Sequence, residues 1–288
     1  MRDMVALLRE EIQERAPSIF AVTGQAGLSE RYQPYSTSEV INLMEKEAWL
    51  PVRAQEQRVL NPERKGYQKH LIRFRHQKDI ADLAGGRVEI GREFFEIVLV
   101  NSNDGKCSYQ ISSGIFRLVC LNGAIVGSKA YSMRVKHFGN DPREVLKASL
   151  SIAEKAPAVM QLVDAMKGVE LTSEEQVAFA KSAYLLKYEE NPEKRVEVDS
   201  EGNERVVEPI SFNPRHLLTP RRSFDAKGSN NLWTTFNIVQ ENMIKGQKVL
   251  ANNRRGLRSL RAIKGINEDI RLNKSLWTLS EEMLKLKN

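Results

Sequence analysis

The sequence predicts an α+β protein: an antiparallel β-meander packed by helices, with a helical, basic C-terminal part. Three observations predict it. Apolar residues recur at helical spacing in residues 1–50 and again beyond residue 141. Between Val52 and Val126 the period shifts to alternation, with turn residues separating the alternating runs. Positive charge gathers toward the C-terminus rather than spreading evenly.

Met4, Leu7, Leu8 and Ile12 share one face of an amphipathic helix over residues 1–16, and residues 17–35 read as a loop. Ser36 or Ser38 caps a second helix carrying Val40, Ile41, Met44 and Trp49, which Pro51 ends. VRAQEQRVL and HLIRFRH alternate as strands around an Asn61-Pro62 turn. FFEIVLVNSNDGKCSYQIS reads as a hairpin, because Asp104 and Gly105 tolerate the positive φ of a tight turn. GIFRLVCLNGAIVG fits a buried strand or a helix start, and periodicity does not separate them.

Asp141-Pro142 opens one long helix through Val145, Leu146, Val159 and Met166, kinked at Pro157. Thr172-Ser-Glu-Glu is a capping box for a helix reaching Tyr188. Residues 189–215 are polar and read as a linker or an exposed hairpin. Helices follow over 231–245 and 267–286. The expected organisation is an α+β core over 1–188, the linker or hairpin over 189–215, and a helical basic region over 216–288.

At 288 residues the chain is long enough for one large or two packed domains, and 41% hydrophobic with 28% charged residues is the balance of a folded globular chain. No apolar run reaches the ~18 residues of a membrane helix, and the N-terminus mixes acids into its apolar positions unlike a secretory signal. Cys107 and Cys120 have no metal-ligand spacing, so free thiols and a cytoplasmic address are expected.

The formal net charge is +7. Residues 245–274 hold nine bases (Lys245, Lys248, Arg254, Arg255, Arg258, Arg261, Lys264, Arg271 and Lys274) against the acids Glu268 and Asp269, an excess as large as that of the whole chain. Arg254, Arg258 and Arg261, three to four apart, would share a helix face able to neutralise successive phosphates. A solvated cationic face is the alternative. A second cluster, LIRFRHQK, puts Arg73 and Arg75 on one strand face with aromatics nearby, which suits single-strand tracking or a charge-protected edge strand. Arg221 and Arg222 form a cationic turn ahead of a helix whose Leu232, Trp233, Phe236, Ile238 and Val239 read as core. Gln240, Glu241 and Asn242 read as caps or ligand contacts.

Catalytic signatures are missing. The four histidines have no metal spacing, and there is no Walker loop, dinucleotide fingerprint or nucleophile elbow. No catalytic residue, cofactor or metal ligand is assigned. Glu89, Glu93, Glu96 and Asp104 are the carboxylates a metal-dependent nuclease would have to use.

Several motifs in order carry a resemblance from about residue 30 to the end. They are Asn101-Ser102 with Asp104-Gly105; Arg117, Val119, Cys120, Asn122 and Gly123; Leu218-Thr-Pro-Arg-Arg222; Leu232-Trp233; and Gln240-Glu241-Asn242 with Lys245-Gly246. The chain resembles the prophage, phage and plasmid proteins grouped as domain of unknown function 932. Gln247 stands where similar members carry a second glycine. The resemblance implies a mobile-element setting, beside replication, recombination and anti-defence genes. The order helix, meander, long helix is also similar to that of phage single-strand annealing proteins, a fold-level analogy.

The expectation is sequence-tolerant nucleic-acid binding in phage or plasmid DNA metabolism, extending to single-stranded DNA annealing by a homo-oligomer. Arg73, Arg75, Arg221, Arg222, Lys245, Lys248, Arg254, Arg255, Arg258 and Arg261 would contact phosphates. The alternative partner is a host defence or regulatory protein, and a nuclease stands third.

Overall fold

The structure, a computed structural model, describes residues 5–118, 123–137, 141–188, 195–198, 204–207, 213–247 and 260–287. It divides into two compact units, Met1–Ala165 with Lys264–Thr278 and Met166–Ile263 with Leu279–Asn288. The helix after Thr172 falls in the second of these units.

The first unit is built on a six-stranded antiparallel sheet. β1 (Trp49–Glu56), β2 (His70–His76), β3 (Glu93–Asn101) and β4 (Tyr109–Arg117) form the meander. β5 (Gly123–Ile125) and β6 (Ser132–Val135) then share the free edge of β4, pairing with Gly114–Phe116 and Tyr109–Ser112 respectively. Alternation gives each strand two faces, and in β2, β3 and β4 both are buried. On one, Leu71, Val98, Val100 and Ile125 pack beneath Ile266 and Ile270 of α9 (Ile266–Lys287), while Leu83 of α3 (Gln77–Ala84) covers Phe94 and Phe116. The other face receives α2 (Thr37–Lys46), whose Thr37 bonds to His70, Asn101 and Tyr109. α1 (Arg9–Arg15) contacts β1, and α4 (Arg143–Ala153) contacts α2, β3, β4 and β6.

The second unit holds α6 (Ser173–Leu185), the antiparallel pair β7 (Arg195–Val198) and β8 (Glu204–Val207), a helical turn Pro214–Leu218, α7 (Ser223–Ala226) and α8 (Leu232–Lys245). α6 and α8 pack on one another and on the turn Pro214–Leu218. Thr172 and Glu175 close the capping box, and Asn231 caps α8 by accepting from Thr234 N at 2.7 Å. Of the stretch 189–215, expected as a linker or an exposed hairpin, the described residues include the paired strands β7 and β8.

Four local readings change. α2 ends at Lys46, and Ala48 at φ 61° turns the chain, so Trp49 belongs to β1. Pro51 lies in that edge strand beside a register shift, where its missing N–H is tolerated. The long helix expected after Pro142 is two, α4 and α5 (Ala156–Lys167), with Pro157 in the first turn of α5, where no hydrogen bond is lost. α3 was not expected within the β-region; the His76 ring caps it by accepting from Lys78 N. In the turn after β3, Gly105 alone takes positive φ, at 71°.

Candidate functional site

The β3–β4 hairpin is held by a strap of chain over residues 21–36. Gln25 N donates to Asn103 O at 2.8 Å, Asn103 Nδ2 to Ala21 O, Tyr32 Oη to Ser102 O at 3.1 Å and Gln33 N to His137 O. Leu28 sits over Gly105, where a Cβ would approach its Cδ2 to 2.5 Å. The hairpin tip is rigid from within. The Asp104 carboxylate accepts from Ser102 Oγ (2.6 Å), Lys106 N and Arg64 Nη2 (2.6 Å). Burial alone would raise that carboxyl, but these bonds hold it below its ordinary value.

A buried polar chain runs beneath the strap. Ser18 Oγ meets His70 Nδ1 at 3.2 Å, and His70 Nε2 meets Thr37 Oγ1 at 3.0 Å. Asn101 Nδ2 donates to Thr37 Oγ1, and its Oδ1 accepts from His137 Nε2 at 2.9 Å, which also donates to Cys107 O. Two acceptors on Nε2 assign its proton there. Burial lowers the pKa of both histidines, that of His70 to about 3, so both rings are neutral near pH 7.

At the strap's edge lies a cavity of about 470 Å³. His137 and Cys107 form its buried wall and Tyr32 its half-buried aromatic side, while Arg31, Lys136, Ser29 and Gly105 are exposed at its mouth. The Tyr32 and His137 rings are 4.9 Å apart. Burial raises the Tyr32 hydroxyl to about 12 and also raises the Cys107 thiol, leaving both protonated. The Cys107 thiol donates to Ser108 O and is no activated nucleophile. Arg31, Lys106, Arg134 and Lys136 form no ion pair among the described residues, whereas Asp104 is already neutralised by Arg64. The mouth is therefore cationic.

The residues expected to meet phosphates divide sharply. Arg73 and Arg75 are not surface cations: both are buried, and both bind Glu96, at 2.8 and 2.6 Å. Burial would raise the Glu96 carboxyl, but Arg75 and Arg73 together hold it low. Alternation placed the two arginines on one face correctly; that face is covered by α3 and α9 instead of solvent. The expectation of phosphate contact at Arg73 and Arg75 is thereby corrected. Arg75 also stacks 3.9 Å from the Phe116 ring centroid.

In the second unit the cationic turn braces α8. Arg221 Nε donates to Asn242 Oδ1 at 2.7 Å and its Nη2 to Gly246 O. Arg222 and Lys245 converge on Glu241 at 2.7 and 2.8 Å. Gln240, Glu241 and Asn242 are neither caps nor exposed: they are buried inside α8, and Asn242 Nδ2 donates to Leu217 O and Thr219 O. Arg221 keeps an exposed face and Arg222 a partly exposed one. Beyond them Gln247 and Leu260 exchange two backbone hydrogen bonds, at 3.0 and 2.9 Å. Gly246 at φ 72° lets the chain at Leu260–Ala262 approach it so closely that a Cβ would lie 2.3 Å from Leu260 O. Arg261 is exposed. The expected contacts Lys248, Arg254, Arg255 and Arg258 lie outside the described residues.

The carboxylates considered for metal chemistry are also engaged or dispersed. Glu96 and Asp104 are held by arginines, Glu93 faces Arg117 at 4.0 Å, and Glu89 is exposed. Among the described residues no group of three or more His, Cys, Asp or Glu side chains is placed to hold a metal ion. Among the same residues no helix is long and apolar enough to cross a membrane.

Sequence reasoning missed Arg31, Tyr32, Lys136 and His137, which come from the loop before α2 and the segment just after β6, with no periodic signal. Two Escherichia coli K12 proteins, UPF0380 protein YfjQ and UPF0380 protein YafZ, are each 33% identical to the chain over 278 residues, covering 96% of it and 92% of their own length. No solved structure matches it. Residues 26–277, which include the braced arginine turn and the β3–β4 hairpin with its strap from residue 26 onward, match the model of a single family, and the chain belongs to it: Domain of unknown function (DUF932).

Proposed function

We propose that the chain binds nucleic acid through phosphates, without reading base sequence. The observation that carries this is the braced neck of the basic segment. Gln247 and Leu260 are paired, so the twelve residues 248–259, with Lys248, Arg254, Arg255 and Arg258, leave from and return to one point. Arg221, Arg222, Lys245 and Arg261 stand around that point, where Glu241 binds Arg222 and Lys245. Because the fold holds the two ends together, the bases carried between them reach one place, which lowers the entropy cost of gathering them on a polyanion. A phosphate-binding segment needs no base-edge readout, which suits sequence-tolerant work such as single-strand annealing in phage or plasmid DNA metabolism.

Titration of a labelled single-stranded oligonucleotide at several salt concentrations tests the reading. Binding should weaken steeply as salt rises, with a log–log slope that shrinks by roughly 0.7 for each phosphate contact removed. Affinity without a salt slope, or no better than that of an unrelated protein of equal charge, would defeat it.

A further inference from the structure

The cavity at the strap's edge belongs to the first unit and has no part in the basic neck. Its volume, about 470 Å³, is within the ~300–1,000 Å³ range of small-ligand sites. It combines two chemistries. Inside are the flat rings of Tyr32 and His137, neutral and fixed by hydrogen bonds to Ser102 O and to Asn101 and Cys107. At the mouth are Arg31 and Lys136, with Lys106 and Arg134 beside them, without carboxylate partners among the described residues. A ligand that satisfies both is flat and aromatic at one end and anionic at the other.

We propose that this cavity takes one unstacked nucleotide, its base against the Tyr32 ring and its phosphate on Arg31 and Lys136. The proposal rests on the nucleic-acid reading above and deepens it to strand preference. A base within a duplex is already stacked and paired, and extracting it costs a few kcal/mol that a base in a single strand does not incur. The neutral imidazole of His137 matters here. A charged ring would compete with Arg31 and Lys136 for the phosphate, whereas a neutral one leaves the anion at the mouth and the base inside. The arrangement also explains why the strap is anchored at both ends: Gln25 and Gln33 fix the chain on either side of Arg31 and Tyr32.

The probe is deoxyadenosine monophosphate, titrated into the full-length protein by calorimetry. Saturable binding is expected, with deoxyadenosine and inorganic phosphate each much weaker. Tyr32→Leu should weaken the mononucleotide by about fivefold or more, the lower end of what a base–aromatic stack contributes. Tyr32→Phe should preserve it. Arg31→Ala and Lys136→Ala alter exposed side chains with no ion pair among the described residues, and should weaken it without moving the melting temperature. If the mononucleotide does not bind at millimolar concentration while an oligonucleotide binds with a salt slope, the cavity assignment falls and the nucleic-acid reading stands. If neither binds, both fall. Equal binding of inorganic phosphate would overturn the base half of the assignment.

Discussion

The Arg73 guanidinium lies directly against Gly123, and a Cβ on that glycine would come within 1.9 Å of Arg73 Nη1. Arg73 Nη2 also donates to Gly123 O at 2.8 Å, while Nη1 reaches Glu96. The glycine of the Asn122-Gly123 pair thus makes room for a buried cation bound to a buried carboxylate. Gly123→Ala should displace the arginine and leave Glu96 with one partner. Breaking a buried pair of this kind typically costs ~3–5 kcal/mol. Chemical denaturation should show a loss of that order, and an unchanged midpoint would mean that β5 yields to accommodate the methyl.

Glu96 is the anion on which two arginines depend. Glu96→Gln keeps the shape and removes the charge, leaving Arg73 and Arg75 facing each other in a buried layer. The loss should exceed that of any surface acid, such as Glu282, whose pairing with Lys285 is exposed and is worth ~0–1 kcal/mol. Replacing Arg73, Arg75 and Glu96 together by apolar residues should recover much of the loss, because an intact buried ion cluster is itself costly to desolvate. Melting curves of the single and triple variants decide this.

The buried histidines set an acid limit. Unfolded, His70 takes up a proton near its ordinary value of 6.5; folded, it resists to about 3. His137 is shifted the same way. Between those values the unfolded chain binds more protons, so stability falls as pH falls below about 6.5. Glu96 and Glu241, held low by their cations, and Asp104, held low by its hydrogen bonds from Ser102, Arg64 and Lys106 N, add a second loss only once pH drops below their ordinary carboxylate range. Melting temperature should therefore decline in two stages, and His70→Gln should flatten the first. A profile flat from pH 7 to 5 would contradict the burial of these rings.

The sheet and most helices were legible because burial writes period into sequence: HLIRFRH alternates, and Leu232, Phe236 and Val239 recur on one side of α8. Alternation assigns a face but does not say what covers it, so Arg73 and Arg75 read as surface cations until α3 and α9 were seen to cover that face. The Gln240-Glu241-Asn242 trio misled for a related reason. Polar residues late in a helix suggest a cap, but cations from a distant turn, Arg221 and Arg222, make burial the better place for them. Arg31, Tyr32, Lys136 and His137 meet through loops, where no period exists to read.

The brace built on Arg221-Arg222 and the basic segment beyond Gln247 are separated by one comparison. Asn242→Ala removes the carbonyl that accepts from Arg221 Nε and two bonds to Leu217 O and Thr219 O, without changing charge. Each buried group left unsatisfied costs ~1–3 kcal/mol, so the second unit should lose stability. Arg254→Glu with Arg255→Glu changes charge on the other side of the Gln247–Leu260 pair, leaving the brace intact. If the segment grips phosphate, this double variant should reduce the salt slope while the melting temperature holds. Asn242→Ala should do the reverse when assayed below its melting temperature: lower stability with an unaltered slope. A double variant that binds with the wild-type slope would move the phosphate contacts away from Arg254 and Arg255 and onto the exposed cations around Arg31 and Lys136.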